Sequence, residues 1–198
     1  IYARHFSQMA TGIADGKSLV DIAQSGVGKI RPMNDITLSA DDLPESMGGI
    51  LTVDAELDFA SNDTHLTLED GVVLNVTQWP DFGWTQADPQ DDRSRMDYGF
   101  AVMTRFRNDG DRPSIFYFAE DAAPDVISDV VQKIAADPSL EVVGVFTDSF
   151  ADNDPYTLTM DGSWPALDLQ TLSLSDNTAL VLNEGAKLQV NNLMAEDP

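Results

Sequence analysis

The stretch HLTLEDGVVLNV, from His65 to Val76, sets two alternating apolar runs on either side of Glu69-Asp70-Gly71. Side chains along an extended chain point to opposite faces in turn, so such alternation marks a half-buried strand. Asp-Gly supplies the positive-φ positions of a tight turn. The spacing therefore predicts a β-hairpin whose Leu66, Leu68, Val72 and Leu74 face inward. The same grammar recurs at ITLSADD from Ile36, LTVDAEL from Leu51, LTMDG from Leu158 and LSLSDN from Leu172.

Working outward, strands are expected at 35–39, 50–59, 64–69, 72–79, 98–107, 114–119, 141–147, 156–160, 170–175, 179–183 and 187–191, with Gly, Asn and Asp between them. RNDGDRP, from Arg107 to Pro113, is a second and longer turn. One helix interrupts the strands at 124–136. Ile127, Val130, Val131 and Ile134 make its apolar stripe, Pro124 and Asp125 suit its first turn, and Asp137-Pro138 stops it. With the strands before and after it, this helix forms either a βαβ unit or a link between antiparallel strands.

Residues 1–34 read as a helical leader. Phe6, Met9 and Ile13 form a thin stripe, and Leu19, Ile22 and Ala23 share a face after Ser18 as the expected cap. So thin a stripe must lie against the body or a neighbouring subunit, which makes 1–34 a candidate assembly segment beside a β-rich domain at 35–198. The last stretch, TLSLSDNTALVLNEGAKLQVNN from Thr171 to Asn192, resembles the rungs of extracellular β-solenoids and fibre proteins. An ordinary meander has the same pattern, and these repeats keep no fixed period. The expected fold class is thus α+β and β-rich: a single domain with a mainly antiparallel sheet, as a sandwich or rolled sheet, and a packed helix.

Length and composition fit this picture. A chain of 198 residues with 42% apolar content can bury a proper core, and no run is long enough to span a membrane as a helix. Beginning with Ile1 and lacking a charged-then-apolar leader, the chain reads as a processed or trimmed product. Thirty-four acids against eleven Lys and Arg give a formal charge of −23, spread evenly along the chain. A surface so charged repels itself in dilute buffer and is at ease where salt screens it, which points to saline or marine surroundings. Nucleic acid is an unsuitable partner, because phosphate binding needs a basic footprint. The absence of cysteine excludes disulfides, thiolate catalysis and Cys-ligated metals.

Signatures of chemistry are sparse. The sequence contains no G-x-S-x-G elbow, P-loop, G-x-G-x-x-G or H-E-x-x-H, and its two histidines, His5 and His65, lie sixty residues apart. Three local features remain. Trp79, Asp81, Phe82 and Trp84 could stack on and hydrogen-bond a sugar, or the rings could simply plug the sheet. Arg93, Arg95, Arg105, Arg107 and Arg112 hold five of the seven arginines; Arg105 and Arg107 share a strand face and could grip the acids of a partner, or pair within the chain. Asp148, Asp152 and Asp154 are oxygen donors suited to calcium, although the loop lacks the EF-hand Gly and Glu.

These features lead to two expectations. The first is a non-catalytic structural or assembly subunit, extracellular or on a virion surface, that associates with itself or with another structural protein. The alternative is a carbohydrate-binding module or carbohydrate-active enzyme that uses the Trp79, Phe82 and Trp84 platform.

Overall fold

The computed structural model describes residues 9–59, 64–78, 96–147, 155–175 and 178–195. The described residues are β-rich with two α-helices. Of the eleven strand pairings among these residues, eight are parallel and three antiparallel. The mainly antiparallel sheet expected from the alternation is therefore corrected to a mainly parallel arrangement.

The N-terminal part winds as a three-sided parallel coil. Strands β1 (Met9–Ala10), β2 (Lys29–Ile30) and β5 (Glu56–Leu57) form one side. Strands β3 (Ile36–Leu38), β6 (Leu66–Leu68) and β8 (Met96–Asp97) form the second. The third side begins with β4 (Ile50–Val53) and β7 (Val73–Val76). Like residues stack in register along each side: Ile36, Leu66 and Met96; Ile30 and Leu57; Leu51 and Leu74; Val53 and Val76. All are buried.

The predicted hairpin at His65–Val76 does not form, because β6 pairs with β3 and β8 whereas β7 pairs with β4. Gly71, at φ +88°, turns the chain around a corner between two sides rather than back along the same sheet. The inward set is nevertheless as the alternation required, with Leu66, Leu68, Val72 and Leu74 all buried.

The third side continues into the central feature of the molecule, a seven-stranded sheet. It adds the hairpin β9 (Phe100–Phe106) and β10 (Asp109–Phe118), then β11 (Leu140–Thr147), β13 (Leu167–Leu174) and β15 (Leu188–Ala195). The order is β15-β13-β11-β9-β10-β7-β4. Helix α2 (Pro124–Ala136) connects β10 to β11, and both strands run antiparallel to β9, which lies between them. The connection is thus a βαβ crossover split by one intervening strand.

Both faces of this sheet are covered. Leu51, Leu74, Tyr117 and Ala101 align across one face and line the N-terminal coil. Phe116, Val102, Val145 and Leu172 align across the other and meet α2 through Val130, Val131 and Ile134. Phe100 and Phe118 stack at 4.4 Å in this second core, with Trp164 near Phe100 at 6.1 Å.

The N-terminal segment belongs to the first core. Met9 lies in a strand, not on a helical stripe, and α1 (Gly16–Ala23) buries Leu19 and Val20 against β3 and β4. Its cap is Asp15, not Ser18. The Asp15 carboxylate accepts from the Ser18 amide at 2.8 Å and from the Ser18 hydroxyl at 2.7 Å, and these bonds hold it below the usual carboxylate range. Gly16 lets the helix start close to the coil, since a β-carbon there would stand 2.7 Å from the Thr37 carbonyl oxygen and against the Asp42 carboxylate. Gly16→Ala should lower stability by about 1–3 kcal/mol through this overlap. Gly12→Ala, with nothing within 4 Å of its added carbon, should change it by less than about 0.5 kcal/mol. Paired denaturant melts measure both.

Candidate functional site: the arginine hairpin and the open last circuit

The expected arginine patch is at the β9–β10 hairpin. Arg105 sits directly across from Glu141 on β11, and its Nε donates to Glu141 Oε2 at 2.9 Å. Arg107, one residue past β9, donates from Nε to the Leu140 carbonyl at 3.1 Å. Arg112 lies over the Phe106 ring at 4.7 Å, with its Nη2 3.7 Å from Asp54 Oδ1. Asp54 is pushed up by burial, but bonds from Gln78 and Thr77 and the Arg112 charge outweigh this and hold it low. These three guanidinium groups are thus engaged within their own chain. Arg105 and Arg107 both reach residues of β11.

The second polar cluster was not visible in the sequence. His65 Nδ1 lies 3.3 Å from Asp97 Oδ1, while Thr67 Oγ1 donates to Asp97 Oδ2 at 2.8 Å. Hydroxyl, carboxylate and imidazole side by side suggest a catalytic triad, but the order is wrong. In a triad the base touches the nucleophile and the carboxylate touches the base. Here the carboxylate stands between the other two and takes the Thr67 hydroxyl itself, so Thr67 is not a nucleophile activated by His65. The cluster ties β6 to β8, where Thr67 and Asp97 are register partners. Among the described residues no three His, Asp or Glu side chains converge as a metal site, and no helix is long and apolar enough to cross a membrane.

The last circuit of the chain is the most unusual surface. Strand β12 (Tyr156–Met160) pairs in parallel with β14 (Thr178–Leu182), as β13 does with β15. The second circuit repeats the first one layer further out: Leu158 stacks on Leu180, Met160 on Leu182, Leu169 on Val190 and Leu172 on Leu193. The corners stack too, since a β-carbon on Gly185 would come within 2.9 Å of Gly162 Cα. Met160 and Leu172 are each 2% exposed, whereas their stacked partners Leu182 and Leu193 are 53% and 64% exposed. Among the described residues, the apolar columns run outward from the core and end uncovered.

Trp79, Asp81, Phe82 and Trp84, the metal candidates Asp148, Asp152 and Asp154, and His5, Arg93 and Arg95 all lie outside the described residues. No protein-family model matches the chain, and no curated protein or solved structure matches it.

The Arg105–Glu141 pair makes a pH prediction. The hydrogen bond from Arg105 holds Glu141 below the ordinary glutamate range. A carboxyl with a depressed folded pKa contributes stability that is present above its unfolded value, about 4.3, and lost as the pH falls through the folded one. A double-mutant cycle of Arg105→Gln and Glu141→Gln, run by denaturant unfolding in low salt, should show coupling at neutral pH that is lost as the pH falls below the unfolded glutamate value of about 4.3 and through the lower folded one.

Proposed function

We propose that this chain is a non-catalytic structural subunit that assembles in saline surroundings, as the subunits of an extracellular filament, a surface layer or a virion do. One observation carries the reading: among the described residues, the last parallel circuit leaves both edge strands and the ends of its apolar columns uncovered. Stacked β circuits stabilise one another through their shared interfaces, so an exposed circuit gains stability from whatever stacks on it. Exposed apolar strand edges are where other strands add.

The charge supports the same reading. With −23 on 198 residues, two copies repel strongly in dilute buffer, where the Debye length is about 30 Å at ~0.01 M salt. At ~1 M the Debye length falls to about 3 Å, and short-range apolar contact then governs association. The arginine hairpin is the less suitable contact surface, since Arg105 already faces Glu141 of its own chain. The Thr67–Asp97–His65 order speaks for tying strands together and against hydrolytic chemistry.

Sedimentation velocity tests the proposal. In molar salt the sedimentation coefficient should rise with protein concentration, and in dilute buffer it should stay at the monomer value. A chain that remains monomeric at high concentration in molar salt, without or with extracts of its native surroundings, contradicts the reading.

A further inference from the structure

Strands at the edge of a sheet usually carry something that prevents pairing: a lysine, a proline, a bulge or a covering loop. Strands β14 and β15 have none of the sequence devices. Thr178–Leu182 reads TALVL and Leu188–Ala195 reads LQVNNLMA, with neither proline nor charge in either. Four of the six exposed large hydrophobic side chains among the described residues lie on these two strands: Val181, Leu182, Leu193 and Met194.

The charge map selects the occupant. Residues 178–195 contain one acid, Glu184, and one base, Lys187, and so carry no net charge; the entire −23 of the chain belongs to the other residues. In dilute buffer a second copy approaching any acidic face meets strong like-charge repulsion, whereas two copies meeting through this end bring neutral surfaces together at any salt concentration. At the opposite end of the seven-stranded sheet α1 lies against β3 and β4 with Leu19 and Val20 buried, so the two ends are built differently. Of the two ways identical chains can meet, the two-fold arrangement uses the same patch twice and needs no second surface.

Resting on the assembly reading above, we infer that the partner at this end is a second copy of the chain, docked about a two-fold axis so that β15 pairs antiparallel with its symmetry mate and β14 with its own. The pairing extends the seven-stranded sheet across the axis into a fourteen-stranded one. Leu182 and Leu193 then gain the cover that Met160 and Leu172 already have from the circuit outside them. Contact through this end closes as a dimer, and that dimer is the unit from which the assembly proposed above would be built.

The test is multi-angle light scattering of the full chain in molar salt over a concentration series, for wild type, Leu193→Lys, Val181→Lys and Arg105→Ala. Circular dichroism melts of each variant check the fold; both lysines replace exposed residues, so the monomer should remain folded. A discrete wild-type dimer, unaffected by Arg105→Ala and weakened on the order of 100-fold by either lysine, is the expected result. A polymer sensitive to the lysines overturns the two-fold closure but leaves assembly standing. A dimer indifferent to both lysines overturns this surface and again leaves assembly standing. A strict monomer overturns both. Single-cysteine variants along β15 supply the geometry: an antiparallel two-fold pair gives same-residue disulfide dimers at the centre of the strand and not at its ends, and cross-linking without a central maximum contradicts the pairing.

Discussion

A single sheet shared by two cores is the constraint on which the other features depend. Because the N-terminal coil covers one face and α2 with the C-terminal circuits covers the other, the central strands have no solvent side. Strand β10 accordingly runs Ile115-Phe116-Tyr117-Phe118 with every residue buried, Ile115 and Tyr117 facing one core and Phe116 and Phe118 the other. Polar groups in such a sheet must find partners within it, since an orphaned buried donor or acceptor costs about 1–3 kcal/mol. They form a short ladder. Thr104 donates to the Ser114 carbonyl, Ser114 Oγ donates to Asn75 Oδ1 at 2.9 Å, and Asn75 Nδ2 donates to Thr52 Oγ1 at 3.4 Å. The ladder crosses β9, β10, β7 and β4 and fixes their mutual register.

The sequence shows where strands lie and which side chains face inward, but not which strands pair. Alternation records burial on one face, and a residue such as Leu66 is equally buried whether its neighbour is β7 in a hairpin or β3 in a coil. Asp70-Gly71 is equally ambiguous, because the positive φ that closes a hairpin also turns a corner. Coil length hides the repeat: Ile50 stacks on Val73, twenty-three residues on, and Ile36 on Leu66, thirty residues on. The 22-residue step from Tyr156 to Thr178 and the 21-residue step from Leu167 to Leu188 are closer, yet one residue is lost at the corner between them. The helix at Pro124–Ala136 was legible because its periodicity and stop signals are local. The strands of two residues, β1, β2, β5 and β8, carry too few positions to show any period. Long-range pairs such as Arg105 with Glu141, or His65 with Asp97, leave no local trace at all.

The excess of aspartate over glutamate, 27 to 7, has a structural component besides its effect on charge. Asp137 accepts from the Ser139 amide, Asp161 from the Ser163 amide, and Asp42 from the Ser39 amide. Asp70, at the corner made by Gly71, accepts from the Ala123 amide at 2.8 Å and so joins the N-terminal coil to the start of α2. The short aspartate side chain reaches main-chain amides at turns, and glutamate is less suited to this. Many of the acids therefore hold corners in place as well as charge the exterior, and those corners are what a chain of stacked circuits needs at every turn. The last circuit is built by the same rules, but its strand edges and apolar columns are left open, and the proposed assembly role follows from that difference.

Parallel stacking of the circuits is the central claim, and the absence of native cysteine allows a direct measurement. Thr159 and Val181 are register partners in β12 and β14, and neighbouring strands about 4.8 Å apart lie within disulfide reach. The doubly substituted chain, Thr159→Cys with Val181→Cys, oxidised at monomeric dilution and mapped by peptide mass spectrometry, should close an intramolecular disulfide without loss of fold. Failure of that pair to close, together with ready closure of Ser173→Cys with Leu180→Cys as a hairpin through 176–177 would require, would contradict the stacked arrangement.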